Sequence, residues 1–192
     1  MGGDYKGDRY QDQTGEGKMY EKTISTRTVF EGRILDVDVL EVELEDGRRS
    51  VREIVRHGVA VAIIPQLPDG RFVFIRQFRK AMERVCFEVV AGNCDPGEEP
   101  AVSAARELKE ETGYISESME LLGPVFPSVG YCTERIDIFF AEVGEQGATS
   151  FDEDESIETI ILSESEMDEM IRTNQIADAK TLAAWMLFKA KK

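Results

Sequence analysis

The chain has 192 residues and a formal net charge of −15 at pH 7, with 38 acidic against 23 basic residues. That length suits one domain with an appendage, and the acidic balance disfavours general binding to nucleic acid or to anionic membranes. No apolar run approaches the roughly 18 residues of a membrane-spanning helix, so we expect a soluble, cytoplasmic protein.

The predicted elements divide the chain into three parts. Residues 1–22 are polar and Gly-rich without periodicity, which predicts a flexible N-terminal tail. Residues 23–57 form an N-terminal β segment with a hairpin turn at Asp46-Gly47, and residues 58–192 form the main domain. Within the β segment the apolar alternation changes phase between Val39 and Leu40, which predicts a bulge or a strand that switches sheets.

Apolar periodicity predicts the elements of the main domain. Short strands are expected at 59–65, 71–78, 85–91, 121–126, 136–143 and 157–162. Amphipathic helices are expected at 163–173 and 177–189, the first with a capping box formed by Ser163 and Glu166, and residues 144–156 form an acidic loop. Many strands mixed with few helices predict an α/β (α+β) sandwich, not a doubly wound parallel sheet.

Histidine and cysteine, the usual residues of nucleophilic catalysis and of soft metal sites, are scarce in this chain. The single histidine, His57, lies between predicted strands and is expected to be structural. A Ser-His-Asp hydrolase is therefore disfavoured, and proton transfer would fall to carboxylates. Cys86, Cys94 and Cys132 lack metal-ligand spacing, which predicts core or surface thiols.

The stretch GNCDPGEEPAVSAARELKEETGY, residues 92–114, is called the acidic segment below. Pro96-Gly97 is typical of a turn, because Pro presets φ and Gly supplies a positive φ. Pro100 suits the first turn of a helix, and Gly113 ends the periodic run as a helix stop. The acidic segment therefore predicts a loop followed by a helix.

Three carboxylates converge on one side of that helix. At 100° per residue, Glu107, Glu110 and Glu111 fall within an arc of about 100° beside its small, apolar face. Like-charge pairs at such spacings destabilise a helix by roughly 0.2–0.5 kcal/mol each. Bound Mg²⁺ or Mn²⁺ would turn this destabilisation into stabilisation, because both ions choose oxygen ligands. The alternative is a solvated helix face without bound metal, as in most charge runs.

The spacing of the whole acidic segment resembles the signature of the Nudix hydrolase family. The matching residues are Gly92, Glu98, Arg106, Glu107, Glu110, Glu111 and Gly113, with Tyr114 where the family more often has an aliphatic residue. Further stretches resemble the branch that hydrolyses ADP-ribose and nucleoside diphosphate sugars: VREIVRHGVAVAIIP, IRQFRKAMERVCFEVVAG, FPSVGYCTERIDIFFAE, DEDESIE and IADAKTLAAWMLFKA.

This resemblance implies a fold, a reaction and a partner. The fold is an α/β/α sandwich with a mixed β-sheet, in which residues 58–192 are the Nudix domain. The reaction is hydrolysis of a pyrophosphate bond in a nucleoside diphosphate sugar, giving a nucleoside monophosphate and a sugar phosphate. The partner is a second copy of the chain, because members of this branch are usually homodimers whose N-terminal strands cross over.

The resemblance also implies the metal ligands. Glu107, Glu110, Glu111 and the backbone carbonyl of Ala91 would hold two to three Mg²⁺ or Mn²⁺ ions. Glu110 would also belong to the catalytic carboxylates. The other matched positions are structural: Glu98 and Arg106 would brace the loop against the helix first and contact metal second, and Gly92 and Gly113 would shape the loop and the helix end.

The general base in this branch is usually a carboxylate on a loop distant from the acidic segment. Here the matching stretch is Phe151-Asp152-Glu153-Asp154-Glu155, with Glu153 the first choice and Glu155 the second. The alternative is a solvated acidic loop without a role in catalysis. A loop suits the task physically, because its closure would exclude water.

Substrate contacts are implied for residues outside the acidic segment. By the resemblance, Arg79 would contact phosphate or the terminal sugar, a geometry that a guanidinium fork suits, and Arg76 would share the task. Glu88 would meet the substrate's sugar, or else pair with a nearby arginine. Arg52 and Arg56 would reach the partner subunit's site, or else remain surface arginines.

The base and the sugar stay open. Phe30 and Tyr131 are candidates for stacking on the base. Val129 stands where ADP-ribose-preferring members carry proline, and Val90 replaces another frequent proline. A related GDP- or UDP-linked sugar is therefore an alternative substrate, and the other hypotheses are a nucleotide-sugar sensor without turnover and a Nudix hydrolase of RNA 5′ ends or dinucleotides.

Overall fold

The computed structural model describes residues 20–149 and 156–191, and these form two β-sheets and three α-helices. In this part of the chain no helix is both long enough and apolar enough to cross a membrane. The strands are β1 Lys22–Glu31, β2 Leu35–Glu43, β3 Arg49–His57, β4 Val59–Gln66, β5 Phe72–Arg79, β6 Arg84–Glu88, β7 Val90–Asn93, β8 Tyr114–Val125, β9 Arg135–Gln146 and β10 Ile157–Leu162. The helices are α1 Pro100–Thr112, α2 Glu164–Arg172 and α3 Ala179–Lys191.

The N-terminal sheet contains β1, β2 and β3 in that order, all antiparallel. The β2–β3 register runs unbroken from Leu35 to Glu43, and the register shifts lie in β1 instead. The prediction of a bulge or a change of sheet in β2 is therefore wrong. Asp38 causes the broken pattern: it shares the buried face with Leu40 and Val42 and so interrupts the apolar alternation.

The main sheet is mixed and runs in the order β10-β5-β4-β9-β8, with β6 paired to β5 and β7 paired to β4. Strands β4 and β9 are parallel, and the other pairs are antiparallel. The mixed sheet confirms the predicted fold class. Because β7 lies beside β4 at the centre, the chain enters the acidic segment from the middle of the sheet.

Two cores lie on opposite faces of this sheet, which makes it an α/β/α sandwich. Successive residues of a strand point to opposite faces, so Val61 and Ile63 of β4 pack towards α1 while Ala62 and Ile64 pack towards α2 and α3. Helix α1 contributes Ala104 and Leu108 to its core. The other core receives Met167, Ala184, Trp185 and Phe188 from the two C-terminal helices.

Local signals placed most element ends correctly. The capping box at Ser163 and Glu166 is present. Helix α3 begins at Ala179, two residues later than expected, because Asp178 acts as its cap: the Asp178 carboxylate accepts the backbone N–H of Thr181 at 3.0 Å. Strand β8 begins at Tyr114, well before the expected residue 121, because a polar edge strand lacks the apolar pattern on which the prediction rested. The predicted part boundaries at residues 22 and 57 stay predictions.

Candidate functional site

A cavity of about 680 Å³ lies where α1, β7 and the start of α3 meet. Its volume falls within the roughly 300–1,000 Å³ typical of small-molecule sites. Carboxylates of Glu107, Glu110 and Glu111 line one side, which is called the acidic wall below. Arg79 and Lys180 also line the cavity and are called the basic wall. The cavity therefore offers both cation-binding and anion-binding groups.

Helix α1 places the acidic wall as the sequence predicts. Pro100 is its first residue, and Gly113 ends it with a left-handed φ of 74°, its N–H donating to the Lys109 carbonyl. A side chain at Gly113 would collide with the backbone oxygen of Gly147, 2.4 Å from an added Cβ. The end of α1 thus packs closely against the residue that follows β9. This contact limits the rotation of the helix about its axis and so the direction of its glutamates.

Arg106 holds the acidic wall together. Its Nη1 donates to Glu107 at 2.7 Å and to Glu110 at 3.1 Å, and its Nη2 donates to Glu98 at 3.0 Å and to the Asn93 carbonyl at 3.1 Å. These bonds tie helix α1 to the loop before it. Hydrogen bonds from Arg106 and then from Ser103, whose Oγ lies 2.6 Å from the carboxylate, lower the pKa of Glu98 to about 2. The brace between Glu98 and Arg106 is therefore formed.

Glu111 and Gly92 bring strand β7 against the acidic wall. Glu111 is 4% exposed, and its Oε2 accepts the backbone N–H of Ala91 at 3.3 Å. The carboxyl carbon of Glu107 lies 2.0 Å from the point that a Cβ on Gly92 would occupy. Only glycine leaves that space, so the carboxylate of Glu107 lies directly on the strand backbone.

The donors of the acidic wall fit a hard divalent cation in chemistry, since they are carboxylate oxygens beside a strand carbonyl. Over residues 20–149 and 156–191, no three acidic, histidine or cysteine side chains meet in a ready metal-binding arrangement. In the same arrangement Arg106 engages both Glu107 and Glu110.

The basic wall is organised by one buried carboxylate. Glu88 is 2% exposed, and its two oxygens accept Arg79 Nε and Nη2, both at 2.7 Å. Lys180 Nζ also donates to Glu88. Burial alone would raise the pKa of Glu88, but the Arg79 hydrogen bonds and the Lys180 charge outweigh it and lower that pKa. Hydrogen bonding to Glu88 in turn raises the pKa of Arg79.

Other predicted contacts lie outside this cavity in the single chain. Arg76 pairs with Glu158 of β10, and its guanidinium lies 5.9 Å from the centre of the Phe87 ring. Arg52 and Arg56 lie on β3, where they pair with Glu21 and Asp38 respectively. A role for either at a partner subunit's site stays a prediction. Glu153 and Glu155 lie outside the described residues.

Among the other cavity residues, His57 and Lys180 were not predicted to take part in binding or catalysis. His57 was expected to be structural, yet it lines the cavity, with its backbone N–H donating to Thr133 Oγ1 at 2.9 Å. Lys180 lies in the IADAK stretch, and nothing local in that stretch distinguishes it from a surface lysine. The nearest signal is Asp178 two residues earlier, since an N-cap residue predicts that Lys180 lies in the first turn of a helix.

Comparison with known proteins supports the family. The NUDIX domain matches residues 56–185, and the nucleoside diphosphate sugar hydrolase N-terminal domain matches residues 21–55. The chain is 41% identical over 171 residues to a methanol dehydrogenase activator from Bacillus methanolicus, covering 88% of this chain and 92% of that protein. It is 36% identical over 174 residues to an ADP-ribose pyrophosphatase from Bacillus subtilis (strain 168), covering 89% and 94%.

Two further matches extend the comparison. A GDP-mannose pyrophosphatase from Escherichia coli O1:K1 / APEC is 38% identical over 144 residues, covering 70% of this chain and 75% of that protein. The fold resembles the crystal structure of an ADP compounds hydrolase, with a TM-score of 0.82, 24% identity and coverage of 92% of this chain and 96% of that one. The domain match over residues 56–185, these relatives and the glutamate-lined helix beside the cavity together show that the chain belongs to the Nudix family and is a Nudix pyrophosphatase.

Proposed function

We propose that the protein hydrolyses the pyrophosphate bond of ADP-ribose or a related nucleoside diphosphate sugar in a reaction that depends on Mg²⁺ or Mn²⁺. The products are a nucleoside monophosphate and a sugar phosphate. One observation carries the proposal: a single cavity holds three glutamates of α1 and the guanidinium of Arg79. A diphosphate with bound divalent cations needs carboxylates to bind the cations and a guanidinium to bind the phosphate oxygens.

The acidic wall is proposed to hold two to three metal ions. Glu107, Glu110 and Glu111 would be the side-chain ligands, with the backbone carbonyl of Ala91 completing the set. Bound metal would lower the pKa of the attacking water and stabilise charge on the phosphoryl oxygens. Arg106 has a separate task, because it offsets part of the charge of Glu107 and Glu110 while the site is free of metal.

The basic wall is proposed to bind the substrate. Arg79 would donate to the diphosphate or to the terminal sugar, and its side chain is 42% exposed and so accessible from the cavity. Both Glu88 oxygens already accept hydrogen bonds from Arg79. Glu88 therefore serves first to orient this arginine, and a contact with the sugar would be additional.

The general base is proposed to come from the acidic loop, with Glu153 preferred to Glu155. The chemical reason is that the three glutamates of the acidic wall act as metal ligands, and a carboxylate bound to metal is a weak base. A carboxylate on a separate loop would take the proton from the attacking water once substrate is bound. Replacing each of the two glutamates with glutamine, one at a time, tests this choice.

A second cavity of about 820 Å³ favours an elongated substrate with a separate group on each side of the diphosphate. It shares Ile34 and His57 with the first cavity, and its other walls include Arg56, Phe126 and Val129. Adjoining cavities of this kind suit an elongated ligand, in which the diphosphate lies at the glutamates and one end group extends beyond it. Val129, at the position of the ADP-ribose marker proline, would then influence which end group is accepted.

The protein is also proposed to act as a homodimer. All ten residues of β1 are exposed in the single chain, among them Ile24, Val29 and Phe30. A sheet edge whose strand is exposed along its whole length invites pairing or packing with another chain. Sedimentation analysis would show a species of twice the chain mass, and a monomer at micromolar concentration would contradict this part of the proposal.

The decisive experiment is hydrolysis of a panel of nucleotide sugars. ADP-ribose and GDP- and UDP-linked sugars would each be incubated with Mg²⁺, with Mn²⁺ and with excess EDTA, and the products separated by ion exchange. We expect cleavage only with metal, and a loss of about a thousandfold in Glu111→Gln, since a metal ligand contributes several kcal/mol of transition-state stabilisation.

The panel also separates the alternatives. Tight binding of ADP-ribose without product over hours would indicate a sensor, and release of product from capped RNA alone would indicate an enzyme for RNA 5′ ends. Wild-type activity in the Glu111→Gln variant, with all substrates, would contradict the proposal. Glu99→Gln is the matched control, because Glu99 precedes the same helix, is exposed, and its side chain makes no capping hydrogen bond.

A second candidate function rests on the relative from Bacillus methanolicus, whose name describes an activator of methanol dehydrogenase. By that similarity, this chain would act on a partner dehydrogenase. The test adds the wild-type protein and Glu111→Gln to a methanol dehydrogenase assay. Activation by the wild type would support this second function, and an unchanged dehydrogenase rate would exclude it for the enzyme tested.

A further inference from the structure

The start of helix α3 contacts the basic wall from a distant part of the sequence. Lys180 Nζ donates to the carboxylate of Glu88, 92 residues earlier, and also to Asp178 Oδ2 at 3.0 Å. The Lys180 side chain is 15% exposed and lines the 680 Å³ cavity. A lysine placed between two carboxylates in this way is held tightly, because its own side chain is largely buried and one partner, Glu88, is shielded from water.

The contact continues to Arg79 through Glu88. The Glu88 oxygen that accepts Lys180 also accepts Arg79 Nη2, and the second oxygen accepts Arg79 Nε. A buried carboxylate binds its partners most rigidly when all its lone pairs are directed to fixed donors. Lys180 and Arg79 are thus joined through one buried carboxylate, which Arg79 meets at both oxygens.

The same turn of α3 also holds the backbone beside Glu88. Thr181 Oγ1 accepts the N–H of Val89 at 2.9 Å and donates to Asp178 Oδ2 at 2.6 Å. Thr181 is fully buried. The first turn of α3 therefore hydrogen-bonds both to the side chain of Glu88 and to the backbone N–H of the next residue, where the chain passes from β6 into β7.

We propose that Lys180 is a positioning residue for substrate binding: with Asp178, it fixes Glu88 so that Glu88 directs the Arg79 guanidinium into the cavity. The inference rests on the proposed function, because Arg79 is the proposed substrate-binding residue there. It assigns part of the substrate affinity to a residue of the C-terminal helix, outside the acidic segment.

The main test uses Lys180→Met with Lys189→Met as its matched control. Lys189 lies on the same helix and also pairs with two carboxylates, Glu164 and Asp168, but it does so on the outer surface. Removing a charge-assisted contact to a buried group should cost about tenfold in substrate affinity. We expect KM to rise about tenfold in Lys180→Met, with kcat nearly unchanged, and both constants to stay near wild type in Lys189→Met.

A direct readout follows Arg79 without catalysis. The Nε–H resonance of Arg79, assigned by its loss in Arg79→Lys, should exchange slowly with water in the wild type because Nε donates to buried Glu88. Lys180→Met should speed this exchange about tenfold, and Lys180→Arg should restore both slow exchange and the wild-type KM. If Lys180→Met folds poorly, Lys180→Gln provides the same measurement with a polar side chain.

A double-mutant cycle links the two residues. If Lys180 acts through Arg79, the effects of Lys180→Met and Arg79→Lys on KM will be strongly non-additive. Additive effects would overturn the proposal, as would unchanged Arg79 exchange or an unchanged KM in Lys180→Met. Should the wild type cleave no nucleotide sugar, the proposed function fails, and the exchange measurement still decides whether Lys180 positions Arg79.

Discussion

The acidic wall and the basic wall of the cavity differ in how completely their charges are matched. On the acidic wall one guanidinium, that of Arg106, pairs with Glu107 and Glu110, and it also pairs with Glu98 of the preceding loop. On the basic wall two cations, Arg79 and Lys180, pair with two carboxylates, Glu88 and Asp178. The acidic wall thus keeps a surplus of negative charge, which a divalent cation would complement, whereas the charges of the basic wall are matched one to one.

The walls also differ in how the chain assembles them. Arg106 reaches Glu107 and Glu110 within a single helical turn, one and four residues away. Glu88 binds partners 9 and 92 residues away, on β5 and α3. The acidic wall is therefore a local structure, whereas the basic wall depends on the order of strands and the docking of a helix.

The largest expected effect comes from the acidic wall. Glu107→Gln should reduce kcat about a thousandfold, or roughly 4 kcal/mol, because it removes the charge of a proposed metal ligand. The variant should fold normally, since Gln retains an oxygen acceptor for Arg106. Steady-state kinetics at saturating Mg²⁺ tests this, with Glu99→Gln as control, and activity within about threefold of wild type would show that the acidic wall does not bind catalytic metal.

The basic wall should affect binding instead of turnover. Arg79→Met should raise KM by about thirtyfold, since charge-assisted hydrogen bonds contribute roughly 1.5–3 kcal/mol each, while kcat changes less. Arg172→Met is the control, because Arg172 pairs with Glu169 on an exposed helix surface. A fall in kcat at unchanged KM would instead place Arg79 in the chemical step and remove the distinction between the walls.

Gly92→Ala tests the geometry of the acidic wall without removing a charge. The new Cβ would displace the Glu107 carboxylate, which is the flexible end of its side chain, so stability should change by less than about 1 kcal/mol. The metal concentration for half-maximal activity should rise about tenfold, because one ligand is misplaced. Gly130→Ala is the control, since its Cβ would meet no atom within 4 Å, and an equal effect in both variants would contradict this prediction.

The smallest expected effect is on the pH dependence of stability. The pKa of Glu98 lies below its ordinary value of 4.5, at about 2, because Arg106 and Ser103 donate to its carboxylate. Its contribution is therefore complete above pH 4.5 and is lost as the pH falls towards 2. Urea unfolding midpoints between these pH values should fall less steeply in Glu98→Gln, and an identical slope in wild type and variant would show that the brace is not coupled to folding.

Much of the acidic wall could be predicted because its signals are local. A proline at the first helical residue, a glycine with positive φ after the last one and glutamates at one- to four-residue spacing act within a few residues, whatever the rest of the fold does. The capping box of α2 was predictable for the same reason. The bulge predicted in β2 was wrong because Asp38, which is buried and paired with Arg56, takes a position on the inner face of the strand where the pattern leads one to expect an apolar residue.

The sequence by itself indicated the family, through the resemblance of residues 92–114 to the Nudix signature. It also determined the sandwich and the glutamates of one helix, since apolar period and turn chemistry act between neighbouring residues. Only the tertiary structure decided which arginine enters the cavity: Arg79 does, whereas Arg76 pairs with Glu158. It also brought Lys180 to Glu88. The physical reason is that an ion pair across 82 or 92 residues depends on strand order and helix docking, which single-residue patterns do not encode.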